Sequence, residues 1–186
     1  FLSRNSKYGI PFLLISTHYR RHDLSLCLIK YGAPVNVVGD CSPFQEKTPL
    51  HIACQSSNVT LVRALIAAGA NIGQQALETA IHNDVNIACI LLSHGANPNV
   101  HYHQMSTLEQ TLSNIEMFKV LVMYGANIRD YGYLRWPLIH QAAKHGYVDV
   151  VRFLRRCGAD PDIKVVEYPE KKPTPRDRMI DAFQVI

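Results

Sequence analysis

The feature that most constrains this chain is a phrase it uses five times. An apolar run ending in Gly-Ala returns as "LIKYGAPVN", "LIAAGANIG", "LLSHGANPN", "LVMYGANIR" and "FLRRCGADPD". The Gly-Ala pairs begin at Gly32, Gly69, Gly95, Gly125 and Gly158, at spacings of 37, 26, 30 and 33 residues. A period of this size marks a chain assembled from stacked supersecondary units, each too small to bury its apolar face alone.

The unit is clearest between Thr48 and Ile72, "TPLHIACQSSNVTLVRALIAAGANI". Leu50, Ile52 and Ala53 predict a short first helix. Val59, Val62, Leu65 and Ile66 recur at helical spacing and predict the buried stripe of a second. Gly69 stops that helix, because Gly enters the left-handed region without the ~1 kcal/mol or more that it costs other residues. Pro49 sits in a first turn, where its missing N–H does no harm. The unit is therefore helix, turn, helix, Gly stop and a protruding loop with Asn or Asp.

Thr48-Pro49-Leu50-His51, Ala53 and Gly69-Ala70-Asn71 resemble the ankyrin repeat. The fifth copy resembles it nearly as well, through His140, Ala142-Ala143, His145-Gly146 and Gly158-Ala159-Asp160. The first copy keeps the length but lacks Thr-Pro and the His. The third and fourth keep the Gly-Ala ending and lose the Thr-Pro-Leu-His start. The resemblance implies an all-α ankyrin-repeat solenoid of stacked helix-turn-helix units with protruding hairpin loops, at least ten short helices and no central sheet. One domain over residues 1–186 is expected, with repeats near 5–33, 45–70, 74–96, 105–126 and 135–159. A partial or capping repeat is expected over 173–186, where Met179, Ile180 and Phe183 share one helical face.

Composition narrows the function classes. A hydrophobic content of 47% excludes a disordered chain, and a net charge of +4 is too small to argue for nucleic acid. Apolar runs such as "IPFLLIS" fall far short of the ~18 residues that span a bilayer. The chain begins with Phe1 rather than Met, so a piece of a longer protein is expected, with no signal peptide at its start. Cys27, Cys41, Cys54, Cys89 and Cys157 are odd in number and form no CxxC pair, which fits neither a disulfide framework nor a zinc site. They read as small buried thiols of an intracellular protein, cytoplasmic or nuclear.

Nothing in the chain assembles catalytic chemistry. No nucleophile stands beside a base and no Gly-rich phosphate loop is present, so neither an enzyme nor a cofactor is expected. His101-Tyr102-His103 is the closest histidine pair, but it falls in an expected loop with no Cys, Asp or Glu nearby in sequence. A zinc site needs three or four ligands, so no metal is assigned. The resemblance implies that His51 and His140 hydrogen-bond within their own repeats. Arg20 and Arg21 fall in an inter-helix turn, and Arg155 and Arg156 suit the negative end of a helix dipole.

The resemblance implies a cupped hand, in which loop tips are fingers, the first helices form a concave palm, and a partner protein or peptide lies across both. The repeat frame assigns to the palm His18 and Tyr19, then Gln55 and Ser56. A one-residue deletion in the third turn assigns His82 and Asn83. A shortened fourth copy assigns Ser113, and the fifth assigns Lys144 and His145. This palm is rich in histidine and poor in acid, which suits an acidic or hydroxyl-bearing peptide. The finger after Gly125 adds Tyr131, Tyr133, Arg135 and Trp136, residue types that dominate binding hot spots. For Trp136 the alternative is packing against the neighbouring helix start, and for the tyrosines a self-packed loop. The loop after Gly69 is cut short and predicts a notch between the second and third copies. The expected function is a protein–protein interaction module: a scaffold, an adaptor or a substrate-recognition domain. The cytoplasmic ankyrin domain of an ion channel and the substrate-receptor part of a ubiquitin ligase are the alternatives. Oligomeric state is left open.

Overall fold

The computed structural model describes residues 11–39, 42–102, 104–130 and 136–163. The expected terminal unit over 173–186 lies outside the described residues, as do Cys41, His103, Tyr131, Tyr133 and Arg135. Within the described residues ten helices run in pairs: α1 (Phe12–His18) and α2 (His22–Lys30), α3 (Pro49–Gln55) and α4 (Val59–Ala67), α5 (Gln74–Asn83) and α6 (Val85–Ser93), α7 (Thr107–Gln110) and α8 (Ile115–Met123), α9 (Leu138–Lys144) and α10 (Val148–Arg156).

The pairs stack in two layers. The first helices pack α1 on α3 on α5, and the second helices pack α2 on α4 on α6 on α8 on α10. One continuous core runs between the layers from Leu13 to Leu154. Phe118 of α8 is wholly buried there and meets Phe153 of α10 edge to face at 6.1 Å. Burying such a side chain contributes about 1.5–3 kcal/mol, so each interface between neighbours supplies stability that no pair holds alone.

Polar side chains set where these helices start. Thr48 Oγ1 accepts from the His51 N–H at 3.2 Å ahead of α3, with Pro49 at the first helical position. Asn58, Asp84 and Asn114 cap α4, α6 and α8 in the same way, through acceptor oxygens 2.9, 3.4 and 3.1 Å from the N–H three residues on.

The Gly-Ala phrase ends every second helix by one device. Gly32, Gly69, Gly95, Gly125 and Gly158 all have φ between +79° and +93°. The following Ala N–H then reaches back to a carbonyl five residues earlier: Ala33 to Leu28, Ala70 to Leu65, Ala96 to Leu91, Ala126 to Leu121 and Ala159 to Leu154, all at 2.9–3.0 Å. This satisfies a carbonyl that the helix end would leave orphaned. The turns inside pairs vary more. Arg20, Ser57 and Gly146 occupy the left-handed region in the first, second and fifth pairs. The third pair has lost that residue, so Asp84 alone closes α5 and caps α6.

The fingers carry the only strands among the described residues. β1 (His101–Tyr102) pairs antiparallel with β2 (Met105–Ser106), with His101 opposite Ser106. The loop expected around His101 is thus a tight hairpin, closed by Gln104 at φ +70°. The long first finger folds back instead, burying Phe44 against Leu14 and Ile52. Gly39 permits this, because a Cβ there would run into the Phe44 carbonyl.

The cysteines correct the sequence reading. Among the four described cysteines only Cys54 is buried; Cys89 is half-buried, and Cys27 and Cys157 are exposed. Cys27 sits one step off the buried stripe of α2, and Cys157 follows the last residue of α10.

Candidate partner-binding surface

The residues assigned to the palm fall at the C-terminal ends of the first helices or in the turns just after them. His18 ends α1 and Tyr19 caps it; Gln55 ends α3 and Ser56 caps it. His82 and Asn83 end α5, Ser113 lies in the turn after α7, and Lys144 ends α9 with His145 as its cap. Because α1, α3 and α5 pack side by side, their ends share one edge of the stack.

The structure gives these side chains different freedom. Tyr19 is 64% exposed, whereas the His18 ring is half-buried and meets the Phe44 ring at 4.9 Å. Gln55 is exposed, but Ser56 donates its hydroxyl to the Ala53 carbonyl at 3.0 Å. His82 Nε2 lies 3.1 Å from Gln110 Oε1, tying the third pair to the fourth. Asn83, Ser113, Lys144 and His145 are exposed. None of the assigned positions is acidic, and they include Lys144 and three histidines.

Trp136 lies two residues ahead of α9. It is half-buried, Lys144 Nζ stands 5.2 Å above its ring, and its carbonyl accepts from Gln141 Nε2 at 2.9 Å. The His145 ring stacks on Tyr147 at 5.9 Å.

Sequence reasoning missed what the shortened fourth copy does. α7 is a single turn, and beside it lies a recess of about 340 Å³ between the fourth and fifth pairs. Ser113 and His145 both line it, so the structure brings these two assigned residues together. Met105, Glu109, Gln110, Leu112, Gln141 and Tyr147 complete the lining and carried no sequence signal beyond the missing residues of the fourth copy. Tyr19 lies elsewhere, in an apolar groove of the first pair with Phe12, Leu24 and Leu28.

The two repeat-start histidines also correct an expectation. His140 Nε2 lies 2.8 Å from the Pro161 carbonyl, beyond the end of its own helix pair. The His51 ring faces Gln75 of the next pair, while its Nδ1 is buried without a partner. The His51 ring is therefore turned to the next unit and the His140 ring to the loop that follows its own α10, while the His51 backbone N–H bonds within its own pair. Burial holds the His51 imidazole below its ordinary value, with Lys47 acting in the same direction and Gln75 opposing. His101 Nε2 lies 3.0 Å from Asp130 Oδ2, a carboxylate distant in sequence. Among the described residues no three His, Cys, Asp or Glu side chains gather to hold a metal, and no helix is long and apolar enough to cross a membrane.

Paired helices stacked in two layers around a shared core define an all-α solenoid. Residues 12–102 match a family model described as ankyrin repeats in three copies, and residues 135–165 match the single ankyrin repeat. The chain belongs to the ankyrin-repeat family. It is 36% identical over 148 residues to the ankyrin repeat protein FPV031 of Fowlpox virus (strain NVSL), which covers 69% of this chain and 40% of that protein. It is 28% identical over 141 residues to the B-cell lymphoma 3 protein homolog of Mus musculus, covering 63% and 30%. It is 29% identical over 96 residues to cyclin-dependent kinase inhibitor 2A of Monodelphis domestica, covering 50% and 56%. The chain thus spans between 30% and 56% of the length of these curated relatives. Ankyrin repeats are protein-interaction modules, and the extended surface of stacked repeats is what they present to a partner.

Proposed function

We propose that this chain is a non-enzymatic, intracellular recognition module that holds a partner protein against the edge formed by the ends of its first helices and by its fingers. It would serve as a scaffold, an adaptor or a substrate-recognition part. The observation that carries the reading is the shared edge: Tyr19, Gln55, His82 and His145 come from four helix pairs, stand exposed, and are not consumed by the core. Exposed side chains gathered along one edge of a stack are the resource such a module has for binding. The name of one relative supports action on other proteins, as a cyclin-dependent kinase inhibitor. With Lys144 and three histidines along this edge, the partner segment is acidic.

The test is affinity capture with mass spectrometry, comparing wild type with Tyr19→Ala, Gln55→Ala and His145→Ala. Proteins bound at this edge should be lost from one or more variants while melting temperature holds, since exposed substitutions usually change stability by under ~0.5 kcal/mol. The same proteins captured equally by all three variants would move the binding surface to the second-helix layer.

A further inference from the structure

The recess beside α7 has a chemistry of its own. We propose that it anchors a donor-tipped aromatic side chain, tyrosine or tryptophan, from an extended segment of the partner; this rests on the reading of the first-helix edge as the binding surface. The recess exists because α7 spans four residues where α3 and α9 span seven and α5 spans ten. Its volume of about 340 Å³ suits one large side chain, at the lower end of the ~300–1,000 Å³ that ligand pockets occupy.

Its walls select a ring. Met105, Leu112 and Tyr147 supply a thioether, a branched aliphatic chain and an aromatic face, all of which pack well on an aromatic side chain. Its polar atoms select a donor. Gln141 is 4% exposed and spends its Nε2 on the Trp136 carbonyl, which leaves Oε1 to accept. Gln110 spends Nε2 on the Met105 carbonyl and Oε1 on His82. Glu109, 7% exposed, also lines the recess but is already engaged within the protein. A tyrosine O–H or indole N–H therefore finds its acceptor in Gln141 Oε1, whereas a carbonyl tip would set oxygen against oxygen there. A lysine tip also finds that acceptor, but it must shed its hydration beside apolar walls. Exposed Lys144, next in sequence to His145 of the lining, favours a carboxylate next to the anchor in the partner segment.

The experiment uses the 186-residue chain, isotopically labelled, and reads backbone amide shifts as four probes are titrated: p-cresol, 3-methylindole, toluene and n-butylamine. The two donor-tipped rings should shift the amides of Leu112, Gln141 and Tyr147 saturably, in the millimolar range. Toluene should bind at least about fivefold more weakly for want of the donor, and n-butylamine should give no saturable shift. Ser113→Trp, an exposed position at the mouth, should weaken both donor-tipped rings at least about tenfold by filling the recess. Met105→Trp on the opposite rim serves if that variant does not fold. Toluene equal to p-cresol overturns the donor requirement. Binding of n-butylamine as tight as p-cresol reassigns the recess to a cation, and no saturable shift with any probe removes the site. Loss of captured proteins from Gln55→Ala without fragment binding would sink the recess alone. Fragment binding with unchanged capture would sink the edge reading and leave the recess standing.

Discussion

Asn99 and Asn127 are joined across neighbouring helix pairs. The Asn127 N–H donates to Asn99 Oδ1 at 2.7 Å, while Asn99 Nδ2 donates to the Gly125 carbonyl at 3.0 Å. Asn36 makes the same two bonds to the Asn71 N–H and the Gly69 carbonyl, at 2.7 and 3.0 Å. One amide side chain thus bridges a finger to the helix stop of the next unit. Asn99→Ala should lower stability in urea by about 1–2 kcal/mol, two hydrogen bonds' net contribution. Asn99→Asp, which keeps the acceptor and loses the donor, should fall between. A loss under ~0.3 kcal/mol would show that water replaces both bonds at this exposed site.

Gly125 tests the helix stop itself. Its φ is +90°, and a Cβ built there meets nothing within 4 Å, so any cost of substitution is conformational rather than steric crowding. Gly125→Val should cost about 1–2 kcal/mol or more, because a β-branched residue fits that backbone region poorly. Gly125→Asn should cost less, since Asn visits the region more readily. Equal melting of both variants and wild type would remove the argument.

His51 sets a pH dependence. Its imidazole is held below the ordinary value, so the unfolded chain takes up a proton more readily than the folded one. The stability it contributes is present above about 6.5 and is lost as the pH falls through the acid range. Melting temperature should drop between pH 7.5 and 5, and His51→Gln should flatten that drop. Parallel curves for the two proteins would assign the acid sensitivity to other groups.

Thiol reactivity should divide the cysteines. Burial pushes the Cys54 thiol up to about 12, while Cys27 and Cys157 are exposed. Brief treatment with iodoacetamide at pH 8, read by mass spectrometry, should modify Cys27 and Cys157 and spare Cys54 until the protein is unfolded. Early modification of Cys54 would mean that the second helix pair opens readily.

The glycine stops were legible in the sequence because a left-handed helix exit demands Gly and leaves the same letters in every copy. The one-residue joint at Asp84 was legible by counting, since a missing turn residue shifts the frame. The ring contacts of His51 and His140 were not, because a repeat pattern records which residues recur and not which neighbour they reach. Nor was the exposure of Cys27, which depends on whether another unit covers the first pair. The recess beside α7 lay between these cases: the shortened copy was visible, but its lining comes from residues 105–147, gathered only by stacking.

The single-turn α7 also bears on how the stack carries load. The second-helix layer passes unbroken through α6, α8 and α10, whereas α7 offers a column only ~6 Å long between α5 and α9. Bending strain applied to such an array concentrates where the cross-section is thinnest. The array should then bend more readily at the fourth pair than through its first three, like a strip of stacked plates with one plate cut down. A partner gripping both ends could open or close the angle there without disturbing a single glycine stop.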